Sequence, residues 1–232
     1  MTSAARTDLK NGLDEVRLLT AQDPGRAESP QSAVSSASLS NALSRACIVL
    51  LSAHLEGYLE DIVTEAMDAL ASHGALVERL PLLLRTVHAE EHIFDLEPMN
   101  DRNSRAPRIQ RMFQIEGPLW TTGNVLTRTM LRPNTVCGKM SNPGSREVKQ
   151  FLDFIGVDIE KYADTRGATG VLSQINGLVG IRNAIAHGEA TSNTTFMDID
   201  NYLDIVEFLA NYVDSAAAES VQTICQLTAR PW

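Results

Sequence analysis

The chain has 232 residues, enough for one medium-sized domain or one domain with a large insertion, and enough to bury a core without disulfide or metal staples. With 44% hydrophobic but only 5% aromatic residues, its Ala- and Leu-rich composition favours helices over a β-sandwich. The formal net charge of −9 speaks against a uniformly basic nucleic-acid binder, and no apolar run approaches the roughly 18 residues of a membrane span.

Residues 4–21 read as a first helix, with Leu9, Leu13 and Val16 at helical spacing, and the N-terminus reads as a charged amphipathic segment rather than a signal peptide. Residues 23–38 hold Pro24, Gly25, Pro30 and many serines, the composition of a mobile linker. A long helix is expected over 38–72, capped by Ser38 or Ser40. Its stripe of Ile48, Leu51, Leu55, Tyr58 or Leu59, Ile62, Ala66 and Leu70 should face the core. Residues 75–93 form a weaker helical stretch bent or restarted at Pro81.

Residues 97–107 read as irregular, followed by a short helix over 107–116 opening on Pro107. Glycines and prolines between 117 and 144 predict loops with short helical pieces, after which Ser145 caps a helix to about Phe154. The clearest helices come last. One covers 169–187 and stops at Gly188; after a polar turn, Thr194 or Thr195 caps another to about Leu227, with Ile199, Leu203, Val206, Leu209 and Val213 inward. No segment alternates as a strand should. The expected organisation is an N-terminal helix and linker over 1–37 and a helical domain over 38–228, with 97–149 a loop-rich basic segment.

Cys47, Cys137 and Cys225 are odd in number and far apart, with neither a disulfide framework nor metal spacing. A reducing cytoplasm is therefore expected, with no metal and no cofactor. Charge is segregated: nine basic residues between Arg102 and Lys149 face only Glu116 and Glu147, net +7, which leaves −16 to the rest. Arg105, Arg108, Arg111, Arg128 and Arg132 are the candidate phosphate contacts in this stretch. The alternative is that these arginines pair with acidic helices around them.

Arg182-Asn183-Ala184-Ile185-Ala186-His187-Gly188 holds the chemistry-bearing string. On a straight helix Asn183 and His187 share a face, whereas Arg182 lies roughly 140° from His187. Arg182 joins them if the last turn distorts, or if a second copy of the helix supplies it in a symmetric dimer. Histidine is a competent acid or base near neutral pH, arginine offers a fork of donors to phosphate, and asparagine orients either one. Spacing alone is weakly specific, since Arg85 and His92 fit a looser version in a stretch read as loop-rich. A plain C-cap, with basic side chains on the last carbonyls, uses the same residues.

The string Leu178 to Gly188, together with the earlier helix Leu50-Leu51-Ser52-Ala53-His54-Leu55-Glu56-Gly57-Tyr58-Leu59-Glu60, resembles the RiboL-PSP-HEPN group of the HEPN superfamily over roughly residues 40–215. The resemblance implies an all-α up-and-down bundle, here with a loop-rich basic insertion in the middle. It also implies a metal-independent endoribonuclease that cleaves RNA by attack of its own 2′-hydroxyl, at a site where two protomers join Arg-x4-His motifs. Carried over, Arg182 would stabilise the scissile phosphate, His187 would be the general acid/base and Asn183 would position them. Glu56 or His54 would line the cleft from the second helix. Some members carry a tyrosine two residues after the histidine as a target of antitoxin control; here that residue is Glu189.

The expected function is thus a homodimeric, cytoplasmic toxin or phage-defence ribonuclease acting on RNA, with a cognate antitoxin as a possible partner. The alternatives are a catalytically inactive HEPN module that binds RNA, nucleotide or a partner protein, and a helical interaction protein with a capped helix end and no site.

Overall fold

The computed structural model describes residues 2–23, 33–138, 143–165, 170–189 and 194–232, with the side chains of 33–36 left aside. The chain folds as an all-α bundle. Its helices are α1 (Ala4–Thr20), α2 (Ala33–Ser72), α3 (Leu82–Leu96), α4 (Arg102–Trp120), α5 (Pro133–Cys137), α6 (Ser145–Asp153), α7 (Ile159–Thr165), α8 (Val171–Ala186) and α9 (Phe196–Cys225). Single 3-10 turns occupy Val77–Arg79 and Arg128–Met130. Among the described residues the one extended pairing is an isolated antiparallel bridge between Leu76 and Val125.

α2 is the spine. Its 40 residues rise roughly 60 Å, and it packs against α1, α5, α6, α8 and α9. The expected stripe is buried throughout: Ile48, Leu51, Leu55, Tyr58, Leu59, Ile62, Ala66 and Leu70 all lie in the core. α9 supplies the opposing face with Ile199, Leu203, Val206, Leu209 and Val213.

The helix begins at Ala33, so the expected caps Ser38 and Ser40 lie within it, and the linker shortens accordingly. Ser40 instead donates to the Asp23 carboxylate. Residues 24–32 of the expected linker lie outside the described residues.

α1 shares the core of α2 and α9 through Leu9, Leu13 and Val16, so the expected division near residue 37 separates no independent core. Its first turn is satisfied from three sides. Ser3 Oγ accepts from Arg6 N at 2.9 Å, and Glu65 on α2 accepts from Ala4 N and Ala5 N at 3.1 and 3.0 Å. Asp214 on α9 accepts from Ser3 N at 3.1 Å and from the Ser3 hydroxyl.

The middle of the chain is more helical than expected. α4 starts at Arg102 because Asp101 caps it, accepting from Asn103 N at 3.3 Å and Ser104 N at 2.9 Å. Pro107 therefore sits in the second turn, where it forfeits one bond to the Asn103 carbonyl without ending the helix. Gly117 and Pro118 complete the last turn rather than opening a loop.

At α6 the cap is Gly144, and Ser145 is the first helical residue. Ser145 and Asn176 exchange two hydrogen bonds, of 2.8 and 2.9 Å, which fix the start of α6 to α8. α7, a seven-residue helix burying Ile159 and Ala163, had no expected counterpart.

Candidate active site

α8 buries Ile175, Leu178 and Val179 and ends by a mechanism its sequence spells out. His187 is the C-cap, and Gly188 adopts φ +74°, a left-handed conformation that suits glycine. Glu189 N donates to the Ala184 carbonyl at 2.9 Å and Gly188 N to the Ile185 carbonyl at 3.1 Å, the paired bonds of a Schellman closure. The expected stop at Gly188 is therefore observed.

Arg182 and Asn183 are half-buried on the last turn, and Arg182 Nη1 donates to Asn183 Oδ1 at 3.2 Å. His187 is exposed, one residue past the helix, and its ring makes no hydrogen bond to the described residues. Asn183 and His187 are also linked through the backbone, His187 N donating to the Asn183 carbonyl at 2.9 Å. The three residues thus occupy one helix end, two of them in contact and the third open to solvent.

A residue the sequence reading passed over completes this end. Arg45 of α2, half-buried, donates from Nη2 to the Ile185 carbonyl at 3.5 Å. It gathers another cation at the negative end of the α8 dipole. One signal pointed to it: Arg45 precedes Ile48 by three residues, so a cation stands in register with an apolar stripe.

Glu56 and His54 are placed elsewhere on α2. Glu56 is half-buried eleven residues beyond Arg45, roughly 16 Å of helix rise from the contact with α8. There it neighbours Glu60, whose carboxyl is raised by burial and then by the charges of Glu56 and Asp61. His54 turns to α1: its Nε2 lies 3.3 Å from Glu15 Oε2, and its ring covers Gly12, where a Cβ would come within 2.5 Å. His54 therefore belongs to the α1–α2 interface.

The candidate RNA-binding arginines divide by partner. Arg128 is ion-paired with Asp68, and Arg132 contacts Glu116 at 2.7 Å. Arg108 reaches Asp95 at 3.5 Å, with both side chains more than half exposed. Arg105 and Arg111 are exposed on α4 and have no acidic partner among the described residues. The looser pair Arg85 and His92 sits on α3, the helix expected to restart at Pro81; Arg85 lies over the Trp120 ring at 4.8 Å and His92 faces Glu116 at 3.3 Å.

Among the described residues no group of three or more His, Cys, Asp or Glu side chains is arranged to hold a metal, and no helix is long and apolar enough to cross a membrane. No curated protein and no solved structure matches the chain. The model of the RiboL-PSP-HEPN family does match, over residues 11–219, from within α1 almost to the end of α9. With its helix order, its capped α8 and Arg182, Asn183 and His187 at that helix end, the chain belongs to the RiboL-PSP-HEPN family.

Proposed function

We propose that this protein is a metal-independent endoribonuclease whose active site joins Arg182, Asn183 and His187 of two protomers. The observation that carries this reading is the end of α8: Arg182 hydrogen-bonded to Asn183, with His187 exposed one residue beyond the last turn. That is a phosphate-binding fork beside an unengaged imidazole, in a chain of the HEPN family.

The chemistry follows from those groups. A neutral His187 removes the proton from a ribose 2′-hydroxyl, whose oxygen attacks the adjacent phosphorus. The bond to the 5′-oxygen breaks, leaving a 2′,3′-cyclic phosphate and a 5′-hydroxyl. The His187 imidazolium formed in that step passes the proton on to the departing oxygen. Arg182 balances the charge gathering on the phosphoryl oxygens, Asn183 holds the guanidinium, and Arg45 steadies the turn through the Ile185 carbonyl. Arg105 and Arg111 extend the phosphate contact along the RNA. In the cell this activity suits a toxin or phage-defence effector restrained by a cognate antitoxin.

The test is cleavage of mixed RNA in excess chelator by the wild type and by His187→Ala. Chelator-resistant cleavage that disappears in the variant supports the reading; wild-type protein that leaves RNA intact, or equal cleavage by both, overturns it.

One observation favours a second reading. Nothing among the described residues of a single protomer orients the His187 ring, as suits a HEPN module that binds RNA, nucleotide or protein without chemistry. Under that reading His187→Ala binds RNA as the wild type does and keeps the biological effect.

A further inference from the structure

A second constellation lies away from α8, in a cleft of about 480 Å³ between α3 and α4. Glu91, His92 and Asp95 line it from α3, Arg108, Arg111 and Ile115 from α4, and Arg132 closes it from below. The volume falls within the roughly 300–1,000 Å³ common to small-ligand pockets.

Two of the lining groups stand against a buried carboxylate. The Glu116 side chain is 4% exposed, and its Oε1 stands 2.7 Å from Arg132 Nη2 and 3.3 Å from His92 Nε2. Arg132 is held again by His88, with Nη2 donating to the His88 carbonyl at 2.7 Å and its backbone N to His88 Nε2 at 2.8 Å. A buried charge beside the Arg132 guanidinium costs less than a bare one, and Arg132 loses its freedom. His88 and Glu116 thus hold Arg132 at the cleft, with His92 beside the same carboxylate.

The rim is different. Arg108 and Arg111 are one turn apart on α4, so both guanidiniums can serve one ligand. Arg108 meets only an exposed carboxylate, Asp95, at 3.5 Å, and Arg111 has no acidic partner among the described residues. An exposed pair of that kind exchanges readily for a better anion.

We propose that this cleft binds a phosphate monoester, carried by a free nucleotide or by the 5′ end of an RNA. Arg111 and Arg108 take the phosphate by their forks, His92 donates from the side, and the ligand displaces Asp95 from Arg108. A monoester fits better than a diester because its second charge is what competes with the two rim carboxylates, Glu91 and Asp95. The site shares Arg111 with the proposed RNA path but none of the residues of the cleavage step. Cleavage by 2′-hydroxyl attack leaves a 5′-hydroxyl, so a 5′-phosphate here is a bound partner or effector and not that reaction's product.

The test is titration calorimetry of the full-length protein with AMP, adenosine, and one RNA octamer bearing either a 5′-phosphate or a 5′-hydroxyl. AMP should bind where adenosine does not, or the phosphorylated octamer should bind at least about tenfold more tightly than its hydroxyl form. Binding of AMP assigns the free nucleotide as source; preference for the phosphorylated octamer without AMP binding assigns the RNA end. Arg111→Gln should reduce the affinity by about tenfold or more, and Asp95→Asn should raise it several-fold, each with unchanged helicity. The proposal is overturned if phosphate confers no advantage in either pair, or if both folded variants bind as the wild type does. His187→Ala should leave this binding intact, which separates its outcome from that of the cleavage test.

Discussion

Arg45 and Ile185 are 140 residues apart in sequence, yet the Arg45 guanidinium donates to the Ile185 carbonyl at 3.5 Å and joins α2 to the last turn of α8. At that length the bond is weak, and Arg45→Ala should lower stability by no more than about 1 kcal/mol. Its effect on function should be larger. Ile185 lies between Asn183 and His187, so a looser turn spreads the groups that must meet the phosphate. RNA cleavage by Arg45→Ala should fall about tenfold in kcat with little change in KM, and Arg45→Lys should recover part of it. A rise in KM with kcat unchanged would instead make Arg45 a contact to RNA.

The arginines of α4 lead to a prediction in salt. Arg105 and Arg111 have no acidic partner among the described residues, whereas Arg128 and Arg132 are engaged with Asp68 and Glu116. Neutralising Arg105 and Arg111 together should weaken RNA binding and reduce the slope of log affinity against log salt by about 1 to 2. Arg128→Gln should change the slope little. Filter binding from 50 to 300 mM salt, on the order of a sixfold range, resolves these outcomes.

The same residues show where sequence reading succeeds and where it stops. The α2 stripe and a threonine cap at 194 or 195 for α9 are legible because both rest on spacing within one helix; the structure places the cap on Thr195. The α8 stop is legible because Gly188 takes the backbone conformation that an L side chain resists. α4 was expected only over 107–116 because Pro107 reads as a first-turn residue, whereas the Asp101 cap starts the helix at Arg102 and places Pro107 where one lost bond is tolerated. The Arg45 contact, the His54–Gly12 packing and the Glu116 anchor all join distant segments, which no local period encodes.

His88 makes stability depend on pH. It is fully buried, with Nδ1 2.7 Å from the Leu84 carbonyl and Nε2 accepting from Arg132 N. The proton therefore sits on Nδ1 and the ring is neutral. Burial lowers its pKa below the ordinary 6.5; the Leu84 carbonyl opposes this next most strongly, and the smaller effects of Arg132 and Glu116 lower and raise it in turn. The unfolded chain takes up the proton first as pH falls, so the stability due to neutral His88 is full above 6.5 and declines below it towards the folded value. Urea unfolding between pH 8 and pH 5, roughly, should show this decline in the wild type and a shallower one in His88→Gln, which can still accept from Arg132 N. Identical pH profiles would remove His88 as the cause.

The composite site makes the sharpest demand. If Arg182 of one protomer works with His187 of the other, Arg182→Ala and His187→Ala should each abolish cleavage alone. Mixed after co-refolding, they form about one half heterodimers, each with one intact site and one doubly defective site, so about a quarter of wild-type activity should return. If Arg182 and His187 act within one protomer, every site in the mixture lacks one of them and no activity returns. The Arg182–Asn183 bond lies within a protomer, so Asn183→Ala should complement a partner by the same rule as Arg182→Ala. Failure of Asn183→Ala to follow Arg182→Ala would separate the two residues and assign Asn183 to the histidine instead.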